Sequence, residues 1–447
     1  MVFRRTIWEL LPFYLTKEIN MRDVVIVSAC RTAVGNFGGS LQDVPVVDLG
    51  ARVLKETLKK IQLRPEASER QIQVAPDSLK ADATIELERK AHDYDPSFQP
   101  VTVDEVIMGN VVGAAQGQNV ARQAMMYAGL PKETPAFTVN KVCASGMKAL
   151  TLAAQAIRVG DADVVLAGGM ENMSRIPYAM NKARWGARMG DAELTDLVVF
   201  DGLYEIFYGY HMGITAENIA ERYQISRAEQ DELGALSHQR ARDAISQGKF
   251  KPEIVPVIIP QRKGDPVIFD TDERPMDTSV EKMAKLRPAF KKEGTVTAGN
   301  ASGINDGAAV LLLMSDTRAA EMGLKPLARI RASASVGVDP AYMGLGPVPA
   351  VRTILRQEKL TIEDFSAIEL NEAFAAQAIG CIRELNCSLE KTNTLGSGIS
   401  IGHPIGCSGA RLLVTLVHTM LREGGELGLA SLCIGGGQGM AVALDRV

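Results

Sequence analysis

Two distant stretches of this chain repeat one plan, and that repetition constrains the fold more than any other feature. After the apolar run Phe137–Val139, the turn Cys143–Ala144–Ser145–Gly146 opens a segment whose residues Leu150, Ala153, Ala154 and Ile157 recur at helical spacing. Gly160 stops that helix, and the apolar run Val164–Ala167 leads into Gly168–Gly169. The later stretch keeps the order: Cys407–Ser408–Gly409 opens a helix carrying Leu413, Leu416, Val417 and Met420, Gly424–Gly425 ends it, and Ala430–Ile434 runs into Gly435–Gly436. Upstream, Glu105–Gly109 and Ala367–Asn371 read as short strands at nearly the same distance from their helices. A duplicated β-α-β unit predicts an α/β fold with its site where the halves meet, beyond the ends of the central strands.

At 447 residues the chain exceeds one ordinary core, which suits two halves plus an insertion. Hydrophobic residues at 46%, charged residues at 23% and a net charge of −4 describe a soluble globular protein with no electrostatic reason to bind nucleic acid or an anionic membrane. Small molecules are therefore the expected partners. Six cysteines, none in a C-x-x-C pair, are too sparse for a disulfide scaffold and suit a reducing compartment. In residues 1–20, Glu9, Pro12, Lys17 and Glu18 interrupt any signal-peptide core, so a short extension is predicted before a domain starting at Met21 with the strand Val24–Val27. No apolar run approaches the ~20 residues of a membrane span.

The repeats divide the chain into an N-terminal half, 21–173 plus 305–325, and a C-terminal half, 326–447. Residues 174–304 break the pattern and read as an inserted loop domain, with Ala216–Arg240 helical and short extended runs in Lys251–Phe269. Residues 62–100 form an atypical insertion rich in charge and proline, in which only Leu79–Leu87 hints at a helix. A solvated surface excursion is expected there, a partner-docking element being the alternative.

Cys143 lies at a turn directly before a helix, where free N–H groups and the helix dipole favour a thiolate. A lone cysteine is ordinarily a small buried hydrophobe. Its companion is the loop Gly402–His403–Pro404–Ile405–Gly406, which presents the side chain best suited to take a thiol proton near neutral pH, although a structural histidine would look the same. Cys433–Ile434–Gly435–Gly436–Gly437–Gln438–Gly439 looks like a dinucleotide fingerprint, but the chain ends at Val447, before a crossover helix could form. Those glycines can instead supply oxyanion-binding N–H groups beside Cys433. Asn371 could orient a water or a carbonyl, or cap a helix over Glu372–Ile379.

Taken in order, Asn140–Gly146, Asn371–Glu372–Ala373–Phe374–Ala375, Gly402–Gly406 and Cys433–Gly437 resemble the four signature motifs of the thiolase family, over a span from Met21 to the C-terminus. Cys433, where fatty-acid condensing enzymes carry histidine, makes the resemblance specific. Tyr210–Gly213, Gly294–Gly303 and Tyr342–Gly344 are most similar to the short-chain, biosynthetic branch. The resemblance implies duplicated β-α-β-α-β halves in five layers, α-β-α-β-α, with the inserted loop domain binding coenzyme A. It implies an acyltransferase that joins two acetyl-CoA molecules reversibly into acetoacetyl-CoA and CoA. Cys143, activated by His403, would accept the acyl group. Cys433 would remove the α-proton, Asn371 and His403 would polarise the enolate, and the N–H groups of Cys143 and Gly435 would hold the oxyanion. Met212 and Met343 would cap a small acyl pocket, with His211, Ala298 and Ser302 along the pantetheine arm. The resemblance calls for no metal and no cofactor beyond the CoA thioester substrates, and for a cytoplasmic homotetramer, a dimer of dimers. A degradative 3-ketoacyl-CoA thiolase of longer chains and a non-catalytic acyl-CoA-binding protein remain the alternatives. Two departures stand out: Arg274–Pro275 and Lys282 lie where relatives place CoA-nucleotide contacts, and Gly396–Ser400 replaces the usual Asn-Gly-Gly-Ala.

Overall fold

The computed structural model describes residues 21–80 and 84–447, so the predicted extension 1–20 lies outside the described residues. In chain order the main strands are β1 (Val24–Thr32), β2 (Glu105–Gly109), β3 (Ala136–Val139), β4 (Val164–Asn172), β5 (Asn305–Ser315), β6 (Ala328–Gly337), β7 (Ala367–Leu370), β8 (Leu427–Ile434) and β9 (Gln438–Asp445). The main helices are α1 (Val46–Lys59), α2 (Val120–Tyr127), α3 (Ser145–Val159), α4 (Met212–Arg222), α5 (Arg227–Ser246), α6 (Pro347–Glu358), α7 (Ala375–Leu385) and α8 (Ile405–Glu423).

The duplication is visible in the pairing. The first half runs β3-β2-β4-β5-β1 and the second runs β7-β8-β9-β6, with a parallel bridge between Ile368 and Thr392 standing where β3 stands in the first. Senses match as well: β2 is parallel to β4, β4 antiparallel to β5 and β5 to β1, just as β7 is parallel to β8, β8 antiparallel to β9 and β9 to β6. The two arrays join edge to edge through β1 and β6, at Val25↔Arg329 and Ile26↔Ala328 alone.

Side-chain alternation builds the layers. Ala309, Leu311 and Leu313 of β5 and Ala430, Leu432 and Ile434 of β8 face one shared core with α3 and α8, while Val310 and Leu312 face α1 and α2. Leu427 and Leu429 face the layer of α6 and α7 on the other side. The strands are thus apolar on both faces, as sheets covered twice require, and each leucine removed from water contributes roughly 1.5–3 kcal/mol. This is the predicted five-layer arrangement. It leaves α3 and α8, which begin at Ser145 and Ile405, side by side in the middle.

The inserted stretch is stitched to this frame, since Ile254–Val255 runs parallel to the end of β1. There Arg31, wholly buried, pairs with Glu253 at 2.5 Å and Asp272 at 2.7 Å. The helix predicted over Ala216–Arg240 is two helices, broken between Arg222 and Arg227; Ser226 caps the second, its hydroxyl and the Glu229 side chain forming a capping box. In 62–100, Leu63–Pro65 and Gln99–Val101 pair as short parallel strands at the base. Of the helix hinted at over Leu79–Leu87, residues 81–83 lie outside the described residues; Leu79 ends a single turn begun at Asp77, and a helix starts at Glu86, where the Glu88 carboxylate accepts from the Ile85 N–H at 2.9 Å. Among the described residues no helix is long and apolar enough to cross a membrane.

Candidate active site

The Cys143 turn is strained and braced. Val142 has φ of +47°, a left-handed conformation costly for a β-branched residue. Asn140 Oδ1 accepts from the Val142 N–H at 2.9 Å, and Ser145 Oγ accepts from the Lys141 N–H at 2.9 Å while donating to the Val142 carbonyl at 2.7 Å. Lys141 reaches the other half, donating to Gln438 Oε1 at 2.6 Å. The two central helices touch backbone to backbone: a Cβ on Gly146 would lie 2.8 Å from the Ala410 nitrogen, and one on Gly409 would lie 2.6 Å from the Met147 nitrogen.

The turn does not favour the thiolate as predicted. Burial pushes the Cys143 thiol up to about 11, against the pull of the Gly435 and Cys143 N–H groups. Desolvation outweighs the free N–H groups of the helix start because Cys143 is only 5% exposed. The Gly435 N–H is directed at the Cys143 sulfur. Cys433, fully buried at the end of β8, is raised well above its ordinary value, first by burial and then by the charge of Cys143. A Cβ on Gly435, two residues beyond Cys433, would stand 3.3 Å from Val142 Cγ1, so the strand end that carries Cys433 meets the Cys143 turn. Around Cys433 pack Met212, Met343, Ala373 and Phe374, with Phe290 at the edge.

His403 is fixed by its backbone and by one ring nitrogen. Its N–H donates to Asn305 Oδ1 at 3.0 Å, and Nδ1 lies 2.6 Å from Ser408 Oγ. Ser408 donates its only proton to the Pro404 carbonyl at 2.7 Å, so the network assigns the ring proton to Nδ1 and leaves Nε2 as an acceptor. Nε2 is buried with no protein partner. Burial, followed by the charge of Arg411, lowers the imidazole to about 3 and keeps it neutral. A neutral ring with a free Nε2 can take a proton.

Asn371 is not a helix cap: α7 begins at Ala375 with Phe374 before it. Its Oδ1 and Nδ2 are both buried without a protein partner, a rare condition outside sites that bind something. Gly398, from the stretch that departs from the family pattern, makes room for it, since a Cβ there would stand 2.8 Å from Asn371 Oδ1.

Of the residues predicted to bind substrate, Met212 and Met343 lie against Cys433. His211 stacks on Phe290 at 4.6 Å, and Phe290 meets Phe374 edge-on at 6.1 Å, so an aromatic row leads from His211 to the Cys433 cluster. The Nδ1 of His211 caps α4, accepting from the Gly213 N–H at 3.0 Å. Ala298 is exposed, and Ser302 is half-buried with its N–H bonded to the Ala373 carbonyl at 2.9 Å. Arg274 is spent on backbone carbonyls, Ile399 at 2.7 Å and Ala301 at 3.0 Å, and so supports the Ser302 segment. No cluster among the described residues has the ligands to hold a metal.

Sequence reasoning missed Phe290 and Glu171. Glu171, wholly buried near the end of β4, accepts from the N–H groups of Val111 at 2.8 Å, Val112 at 3.3 Å and Gly406 at 3.0 Å, and from Asn110 Nδ2 at 3.0 Å. It ties the His403 loop to the Cys143 half. Burial raises it to about 7.

The family models Thiolase, N-terminal domain, and Thiolase, C-terminal domain, match residues 24–92 with 90–317 and 324–446 respectively. An acetyl-CoA acetyltransferase of Pseudomonas aeruginosa is 52% identical over 427 residues, and one of Chromobacterium violaceum 51% over 425; each alignment covers 95% of this chain and all of the relative. A crystal structure of the Bacillus anthracis acetyl-CoA acetyltransferase superposes with a TM-score of 0.85 at 42% identity, covering 96% of this chain and all of that one. With both family models and the whole length of such relatives matched, this chain belongs to the thiolase family.

Proposed function

We propose that the chain is an acetyl-CoA C-acetyltransferase that condenses two acetyl-CoA molecules reversibly into acetoacetyl-CoA and CoA through an acetyl-Cys143 intermediate. The observation that carries the reading is that the four motifs together bear two buried thiols, Cys143 and Cys433, and three buried polar atoms without a protein partner, His403 Nε2 and both ends of the Asn371 carboxamide. Relatives at 51–52% identity bearing that activity in their names support it.

His403 Nε2 takes the proton of Cys143 as the sulfur attacks the acetyl-CoA carbonyl, which answers the unfavourable thiolate: the proton moves with the attack rather than before it. The Gly435 N–H meets the developing oxyanion. CoA leaves with the proton. Cys433, once it has passed its thiol proton to His403, removes a methyl proton from a second acetyl-CoA, while Asn371 and the protonated His403 stabilise the enolate oxygen. The carbanion attacks the acetyl group on Cys143, the carbon–sulfur bond breaks to release acetoacetyl-CoA, and the freed Cys143 thiolate takes its proton back from His403. Met212, Met343 and Phe374 beside Cys433 favour a short acyl chain. A homotetrameric dimer of dimers and a cytoplasmic location belong to the same reading, supported by the family resemblance and by six free cysteines.

A substrate series tests it. Turnover of acetoacetyl-CoA should exceed that of 3-ketohexanoyl-CoA and longer homologues, whereas a clear preference for the long chains would establish the degradative alternative.

A further inference from the structure

We infer that Glu372 is the positioning residue that aims Asn371, and that Ser237 is the link by which the inserted region reaches it; the inference rests on the condensation chemistry proposed above. Since neither end of the Asn371 carboxamide has a protein partner, its direction is set by the backbone that carries it. On one side that backbone continues from β7, with the Asn371 N–H bonded to the Ser431 carbonyl at 2.9 Å. On the other side no helix begins until Ala375; there Ala373 is bonded to the Ser302 N–H and to Gln377 Oε1, and the residue next to Asn371 is held by the Glu372 side chain.

Glu372 Oε2 accepts from Ser237 Oγ at 2.6 Å, and Oε1 from Asn393 Nδ2 at 2.9 Å. Asn393 also grips Leu370, accepting from its N–H at 2.9 Å and donating to its carbonyl at 2.7 Å, so the residues on both sides of Asn371 are held together. Glu372 is 2% exposed, and bonds to a carboxylate are strong where water is excluded. Ser237 lies on α5, within the region the resemblance assigns to coenzyme A, and its hydroxyl is 2.8 Å from Ser400 Oγ on the segment leading to His403. A shift of α5 therefore reaches Asn371 through one hydroxyl–carboxylate bond. Asn371 serves only the α-proton step, so losing its aim slows that step and spares acetyl transfer to Cys143.

The test measures the two steps separately in Ser237→Ala, a mild change, and in the isosteric Glu372→Gln. Exchange of acetyl-CoA methyl hydrogens with deuterium oxide should fall about tenfold in the first and about a hundredfold in the second. Acetylation of Cys143, followed by intact mass in single turnovers, should stay within about twofold of wild type. Parallel loss of both steps would make the cluster a general structural support and overturn the inference, as would undiminished exchange in both variants. A wild-type protein that gains no acetyl group on Cys143 would instead sink the functional reading itself.

Discussion

Ser408 Oγ lies 2.6 Å from His403 Nδ1 with its own proton committed to the Pro404 carbonyl, so one hydroxyl decides which face of the imidazole is basic. Ser408→Ala frees the ring to turn and to exchange tautomers. Acetylation of Cys143 is expected to slow about tenfold, as the loss of one orienting hydrogen bond implies. Rapid-quench mass spectrometry reads the rate directly, and an unchanged rate would show that packing alone orients the ring.

The two thiols should part company on mutation. Cys143→Ala is expected to gain no acetyl group from acetyl-CoA. Cys433→Ala should still gain it, because the Gly435 N–H and His403 remain, yet should not condense. Condensation by Cys433→Ala at the wild-type rate would reassign the base.

Glu171 gives stability a pH dependence of defined sign. Its carboxyl is raised by burial from 4.5 to about 7 in the folded chain. Below pH 4.5 both folded and unfolded chains hold the proton and the contribution is fully present. As pH climbs toward 7 the unfolded chain ionises first, and roughly 3 kcal/mol is lost. Glu171→Gln cannot titrate, so its stability relative to wild type should rise between pH 5 and pH 8 in urea titrations. A difference that stays constant across that window would place the ionisation elsewhere.

Gly146→Ala would drive a methyl group to within 2.8 Å of the Ala410 nitrogen, where the opposing group is backbone and cannot swing away. A loss of roughly 1–3 kcal/mol in unfolding free energy is expected. Activity should fall further than stability, since the helices that separate carry Cys143 and His403 at their starts. Equal losses would mean that the crossing serves packing alone.

The frame was legible because its signals are periodic. The apolar spacing of Leu150, Ala153, Ala154 and Ile157 marks a face that is indeed buried, and Gly160 and Gly424 end their helices in the left-handed conformation that glycine tolerates. The motifs that hold the candidate site groups were legible too, through their resemblance to those of the family. Burial was not. Nothing local in Met170–Glu171–Asn172 tells a carboxylate clasping three N–H groups from one facing solvent, and nothing around Cys143 announces the desolvation that outweighs its helix. The break between α4 and α5 was written in the sequence as Ser226 with Glu229 three residues on, but the apolar pattern runs through it and masks the cap. Phe290 had no signal, since an aromatic residue in an irregular segment acquires its partners only on folding.

The order of strands also dictates a schedule. β5 sits between β1 and β4, yet it follows them in the chain only after the whole inserted stretch has been made. On the ribosome, β1 and β4 must wait with open edges until residue 315 has emerged, and only then can the first half close. Open edges are where nascent chains stick to one another. The insertion therefore sets how long this protein stays vulnerable during its own synthesis, and slowing translation within residues 173–304 would lengthen that exposure.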